Sequence, residues 1–293
     1  MAGAMALATL IPLILKASIA LTVFALGLSA RPGDALYLLR RPALLVRALI
    51  AMNVVMPVVA AVAAAAFQFH PAVEVGLIAL AVSPIPPLLP KKGLKTGADA
   101  AYTFGLLVTM GVLAIGFVPV AVDVLGRAFG KSVYVSPIRI AGVVFATVLI
   151  PLAAGMAVRR LLPTLAARIA GPASLVATVL LLAGALPVLF TAWPAMMALI
   201  GNGTLLALVA FVGIGLATGQ ALGGPSPEEK TVLALCTACR HPGVAMALTS
   251  EVFAEQKQVV AVVLLYLVVA GILTSLYLVW RRRHPGMVPA VGA

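Results

Sequence analysis

The chain has 293 residues, of which 63% are hydrophobic, 20 are Lys or Arg and only 8 are Asp or Glu, and its mean hydropathy is +1.18. So few charges cannot cover a water-facing surface, which excludes a soluble enzyme, a disordered protein and a secreted disulfide scaffold. Because a membrane span needs about 20 apolar residues, this length allows roughly eight to ten helices and no second, soluble domain.

Apolar runs bounded by charges, prolines or glycines predict an all-α polytopic membrane protein with about nine transmembrane helices. Stretches such as VVAVVLLYLVVAGIL are apolar throughout, which excludes the alternating strands of a membrane barrel. In chain order, the predicted segments are 6–29, 42–67, 72–96, 99–123, 137–158, 172–191, 201–221, 229–254 and 258–280.

Basic residues fall mostly in the loops on one side of the membrane, thirteen against four on the other side. Cytoplasmic loops collect Lys and Arg, so this pattern predicts an external N-terminus and a cytoplasmic C-terminus in the plasma (inner) membrane. The net charge of +12 is therefore typical of membrane topology, and it does not indicate nucleic-acid binding.

The third and eighth segments contain helix breakers. The third has four prolines between residues 84 and 90, and the eighth has Pro242 followed by Gly243. A pair of interrupted spans in matching positions indicates an inverted repeat with a solute site where the breaks meet. The predicted organisation is a first repeat over 1–124, an external linker over 125–136, a second repeat over 137–280 and a cytoplasmic tail over 281–293.

The second break, at 240–243, predicts an anion site. Arg240 and His241 lie about twelve residues from either end of their segment, and a charge so deep in a membrane indicates function. A half-helix beginning at Gly243 would add N–H groups to the positive charge. Two questions stay open. Arg240 either binds the anion or only pairs with the carbonyl ends of the facing broken helix. His241 either carries a coupling proton or has a structural role as a hydrogen-bonding strut.

The first break would supply opposing backbone groups to the same site. The predicted substrate-binding residues are therefore Pro84, Pro86, Pro87, Arg240, His241, Pro242 and Gly243. Cys236, Cys239 and His241 are too weak a pattern to predict a metal, and no cofactor is expected.

The run LTVFALGLSARPGDALYLLRRPALLVRALIAMNVVMPVVA resembles the opening of the bile acid:sodium symporter family, with an Arg-Pro loop and a mid-membrane Met-Pro. The two broken segments fall where that family has its crossed discontinuous helices. The resemblance implies a panel domain and a core domain built from two inverted repeats, in a short form that lacks the first helix.

The matching positions depart from the sodium-coupled pattern of that family. Where sodium-coupled members carry an acidic residue and then Gln-Asn in the second break, this chain has Cys236 and then Arg240-His241. The resemblance leaves Thr103 and Cys236 as candidate ion-binding residues. Sodium prefers hard oxygen ligands, so sodium coupling is not expected, and an arginine at this position would serve as a fixed surrogate cation.

The resulting prediction is a secondary transporter that moves a small or amphipathic organic anion by alternating access. Its expected partners are the anion, the lipid bilayer and a coupling ion, Na⁺ or H⁺, if there is one. The alternatives are a proton-coupled or uncoupled anion exporter and a membrane solute sensor. An enzyme is not expected, because Cys236 and His241 have no acidic residue to orient them.

Overall fold

The computed structural model of the chain describes residues 2–31, 33–86, 100–129, 136–201, 203–252 and 256–283. Every regular element within these ranges is helical, as the apolar runs predict. The α-helices are α1 (Ala2–Gly27), α2 (Pro42–Leu49), α3 (Met56–Ala66), α4 (Pro71–Val82), α5 (Ala100–Ala128), α6 (Pro137–Val144), α7 (Ile150–Leu161), α8 (Pro163–Ala198), α9 (Thr204–Leu222), α10 (Pro227–Ala238), α11 (Pro242–Val252) and α12 (Gln256–Arg283).

Eight helical stretches of the described residues are long and apolar enough to cross a membrane. The short apolar helix α4 corresponds to the predicted third segment as far as its break. These stretches match the nine segments in order, and they confirm the prediction of an all-α polytopic membrane protein.

Two of the spans contain a π-helical turn, at Ile50–Val55 between α2 and α3 and at Phe145–Leu149 between α6 and α7. A proline follows each turn at the second position of the next α-helix, Pro57 in α3 and Pro151 in α7. Since proline cannot donate to the preceding turn, the π geometry shifts the hydrogen bonding locally and the span continues.

Several helices run beyond their predicted ends. α8 begins at Pro163 rather than at residue 172, because a proline fits the first helical position and Pro172 removes only one hydrogen bond from a long helix. α5 continues to Ala128, into the stretch predicted as linker, where Arg127 pairs with Asp123 one turn earlier (2.8 Å).

The spans pack as two groups. The panel comprises α1, Pro137–Leu161 and α8, and the core comprises the remaining described helices. Where α1 crosses α7 in the panel, a side chain on Gly155 would collide with the carbonyl oxygen of Phe24, and one on Gly27 would lie 2.5 Å from the carbonyl oxygen of Leu152. The panel therefore depends on direct contact between two backbones.

In the core, α9 supports α10 through a pair of glycines one turn apart. A side chain on Gly215 would lie 2.8 Å from the Cα of Ala238, and one on Gly219 would collide with the backbone of Ala234. This spacing of small residues lets two membrane helices approach closely. It fixes the end of α10, where the second break begins.

The first turns of α10 are held by polar contacts. At its start, the Ser226 hydroxyl accepts from the Glu229 N–H (3.1 Å) and the Glu229 carboxylate accepts from the Ser226 N–H (3.3 Å), which is a capping box. Arg281 donates to the Thr231 hydroxyl (3.1 Å) and to the carbonyl of Pro227 (2.8 Å). These two bonds hold the last turn of α12, which continues to Arg283, into the stretch predicted as the cytoplasmic tail.

Candidate functional site

The first break begins at Ser83, directly after α4. Pro84 disfavours the helical conformation for the residue before it, and Ser83 is extended (φ −71°, ψ 146°). The Ser83 hydroxyl donates to the carbonyl of Ala79 in the last turn of α4 (2.6 Å), and so satisfies a carbonyl at the end of the helix. The carbonyls of Ser83 and Pro84 are thereby freed from the helix.

The second break comprises Cys239, Arg240 and His241, between the end of α10 and Pro242 at the start of α11. Cys239 is extended (φ −102°, ψ 133°). The buried hydroxyl of Tyr266 on α12 bridges this turn, because it donates to the carbonyl of Ala238 (2.8 Å) and accepts from the N–H of Arg240 (2.7 Å). One phenol therefore satisfies a donor and an acceptor that the broken helix leaves open.

The two breaks touch. The N–H of His241 donates to the carbonyl of Pro84 (2.8 Å), and Arg240 Nη1 donates to the carbonyl of Ser83 (3.2 Å). The two discontinuous helices therefore cross at their breaks, as the sequence pattern predicts, and each break satisfies backbone groups of the other.

The side chain of Arg240 joins three segments of the core. It is only 2% exposed, and Nη2 donates to the carbonyl of Met52 (3.0 Å) in the first π-helical turn. A π-type bond from that carbonyl would need an N–H on Pro57, which proline lacks, so the guanidinium takes the place of the missing donor.

The charge of Arg240 has no acidic partner among the described residues. Neither of the ion pairs found there, Arg41 with Glu229 (3.5 Å) and Arg127 with Asp123 (2.8 Å), includes Arg240. The Nε atom of Arg240 is buried without a hydrogen-bond partner. Two carbonyls and the C-terminal ends of α4 and α10 provide only partial negative charge, so a net positive charge remains at the crossing.

His241 caps the second half-helix with its own ring. Nδ1 accepts from the N–H groups of Gly243 (3.1 Å) and Val244 (3.3 Å), and the carbonyl of His241 accepts from the N–H of Ala245 (3.1 Å). Nδ1 is therefore unprotonated and the proton of the neutral ring lies on Nε2. The first N–H groups of α11 are thus already bonded within the protein.

The other ring nitrogen of His241 faces the panel. Nε2 lies 3.4 Å from the hydroxyl of Thr147, which donates to the carbonyl of Val143 (2.7 Å) and so has a lone pair for the imidazole proton. Thr147 belongs to the second π-helical turn. A polar contact therefore joins the crossing to the panel.

The structure brings most of the predicted substrate residues together. Arg240, His241, Pro242, Gly243 and Pro84 lie at the crossing, and Pro86 is half-buried two residues farther along the first break. Pro87 lies outside the described residues.

The candidate ion residues Thr103 and Cys236 are both buried. Cys236 lies in α10 within an apolar cluster that includes Tyr102 and Phe104, next to Thr103 in the chain. The described part of the chain brings no three His, Cys, Asp or Glu side chains together as a metal site.

Outside the two breaks, three contributors to the crossing were not predicted: Met52, Thr147 and Tyr266. The available signals were the prolines that follow the two π-helical turns, and a tyrosine within an otherwise apolar span. Neither signal identifies a partner, because Met52 and Tyr266 lie 188 and 26 residues from Arg240 in the chain.

Comparison with known families decides what kind of protein carries this crossing. The sequence model of the sodium bile acid symporter family matches residues 17–193, more than half of the chain, from α1 through the first break and into α8. The chain belongs to the sodium bile acid symporter family. It is therefore a membrane transporter of this family's general type. The family model does not cover the second break, which lies after residue 193. No curated protein matches the chain.

Proposed function

We propose that this family member is a sodium-independent secondary transporter for a small or amphipathic organic anion. The observation that carries the proposal is the buried Arg240 guanidinium, which has no acidic partner among the described residues and lies where the two broken helices cross. An anion that reaches the crossing would neutralise a charge that is costly to bury.

The contacts of Arg240 argue against sodium. Backbone carbonyls at a helix break are the ligands that a hard cation takes, and those of Ser83 and Met52 already accept from the guanidinium. A sodium ion about 4 Å from this charge would be repelled by about 4 kcal/mol at an effective dielectric near 20. Arg240 would thus act as a fixed cation in place of a bound one.

Alternating access requires the core to move against the panel. The contact between His241 and Thr147 spans this boundary, so the anion would enter beside it and exchange hydrogen bonds with it. In this role the anion meets Arg240, His241 and the start of α11 from the panel side, with the first break behind them. The N–H groups of Gly243 and Val244 become available to it only when the imidazole turns away.

Proton coupling through His241 is the weaker alternative. The ring accepts two N–H groups at Nδ1 beside the positive end of α11, so a second proton would remove the cap and place like charges together. Uncoupled exchange of anions agrees better with this geometry.

The test is uptake into sealed proteoliposomes that contain the purified protein. Radiolabelled taurocholate and short-chain monocarboxylates are offered outside, with the same unlabelled anions inside to drive exchange. Saturable accumulation that protein-free vesicles do not show supports the transporter. Saturable binding with no internal accumulation of any of these anions would indicate a solute sensor and overturn the proposal.

A further inference from the structure

A cavity of about 280 Å³ lies in the core, away from Arg240. Its walls come from the end of α3, the middle of α4 and the C-terminal ends of α5 and α11. By the charge pattern of the loops, this end of the core is predicted to face outward. The volume is close to the lower end of the range for small-molecule sites.

The described residues that line the cavity are apolar apart from Glu74 and Thr249. Ile78, Val122, Leu125 and Leu248 form much of its wall, and Glu74 is the one charged residue among the described lining residues. An apolar cavity with one charged group fixes both the shape and the charge of what it can hold.

The carboxylate of Glu74 has no ion pair or hydrogen-bond partner in the described part of the chain. Arg127, which follows the lining residue Gly126, is paired with Asp123 (2.8 Å). The hydroxyl of Thr249, the other polar lining residue, donates to the carbonyl of Met246 (3.1 Å) and keeps a lone pair. Both polar groups of the wall therefore accept hydrogen bonds.

A structural explanation exists for the acid alone. Glu74 lies in the first turn of α4, where a negative charge is stabilised by the helix dipole. This explanation accounts for the residue type, but it does not explain why the side chain lines an apolar cavity with no basic partner among the described residues.

We propose that this cavity binds a monovalent organic cation with a compact apolar body, such as a protonated hydrophobic amine. The ammonium would donate to Glu74 and Thr249, and the apolar body would pack against Ile78, Leu125 and Leu248. The site is separate from Arg240 and does not depend on the proposed anion transport. The cavity wall includes α4 and α11, which are each one half of a broken helix. A bound molecule would therefore stabilise the relative position of the two broken helices.

The test is calorimetric titration of 1-aminoadamantane into the full-length protein in lipid nanodiscs, with empty nanodiscs as the blank. 1-Adamantanol has the same apolar body without the charge, and it measures binding by shape alone. Glu74→Gln removes the charge with little change in size. The matched control is Asp123→Asn, which removes the paired acid at the same end of the core. Ala64→Phe fills the cavity from α3.

We expect saturable binding of the amine to the unmodified protein and to Asp123→Asn, and at least tenfold weaker binding to Glu74→Gln and to Ala64→Phe. The alcohol should bind at least tenfold more weakly than the amine. Equal affinity of the amine and the alcohol would identify an apolar or lipid-chain cavity and overturn the proposal. Unchanged binding of the amine to Glu74→Gln, or none beyond that to empty nanodiscs, would also overturn it.

Discussion

Arg240 carries a positive charge at a depth where a membrane helix rarely tolerates one. Insertion of such a charge costs at least about 2.5 kcal/mol, and hydrogen bonds to the carbonyls of Met52 and Ser83 offset part of this cost. The same contacts tie the first π-helical turn to both breaks. Arg240 is thus both a structural link and, in the proposed function, the attractive charge for an anion.

Substitution of Arg240 tests whether its charge attracts the anion. We expect Arg240→Met to abolish saturable anion uptake, because an apolar side chain of similar length removes the charge. Arg240→Lys should keep part of the uptake, since an ammonium retains the charge but lacks the planar fork that reaches two carbonyls. Both variants are measured by exchange in proteoliposomes, after gel filtration has established that they are folded. Full uptake by Arg240→Met would show that the arginine has a structural role only and would contradict its role in attracting the anion.

Tyr266 gives a prediction about stability at the second break. Tyr266→Phe leaves the carbonyl of Ala238 and the N–H of Arg240 without the hydroxyl that bridges them, which should cost about 1–3 kcal/mol. The measurement is the midpoint of thermal unfolding in detergent. Tyr277→Phe is the matched control, because that hydroxyl bonds the half-buried Gln220 side chain. An equal loss in both variants would contradict the bridging role of Tyr266.

At the level of single residues, the sequence could identify Arg240 and His241 but not their partners. A charge and an imidazole beside a Pro-Gly pair are conspicuous in an apolar span, so their position follows from local spacing. Their partners lie in the π-helical turn before α3, in the panel and on α12. A single sequence does not show which residues so far apart in the chain come into contact. The choice between anion ligand and strut depends on those contacts.

The broken helices are the elements that local chemistry determines most directly. Proline acts on its own turn, so the dense prolines after Ser83 and the Pro242-Gly243 pair predict both interruptions without any tertiary information. The π-helical turns were beyond such prediction, because the Met56-Pro57 and Ile150-Pro151 pairs are equally compatible with a simple kink.

The contact between α9 and α10 can be tested with one substitution at two positions. Gly219→Leu should destabilise the protein and reduce anion exchange, because any side chain at this position collides with the backbone of Ala234 and moves the second break. Gly213→Leu is the matched control on the same helix, since nothing lies within 4 Å of the added carbon. Thermal unfolding and uptake are measured for both. Equal tolerance of the two variants would contradict the close packing of α9 on α10.

For the whole molecule, the apolar composition predicted an all-helical membrane fold, and the described residues confirm it. The panel and core groups are consistent with what the family resemblance implied, because helices from both predicted repeats meet in each group. The division into repeats over 1–124 and 137–280 stays a prediction, as does the orientation in the membrane.

The orientation can be measured by labelling. A reporter fused after residue 283 should be cytoplasmic, and a cysteine placed at residue 130 should react with an impermeant maleimide from outside intact cells, because basic residues are concentrated in the opposite loops. A second cysteine at residue 31, in a predicted cytoplasmic loop, is the control and should react only after permeabilisation. The reverse labelling pattern would contradict the charge-based topology.

The most direct measurement of the central claim is anion exchange by the unmodified protein under imposed cation gradients. Proteoliposomes loaded with unlabelled anion are placed in sodium chloride or choline chloride at equal ionic strength, and initial uptake of the labelled anion is compared. Because the guanidinium of Arg240 occupies the carbonyls at the crossing and repels a second cation, equal initial rates in the two media are predicted. Uptake that rises severalfold with an inward sodium gradient would contradict a fixed cation at the crossing.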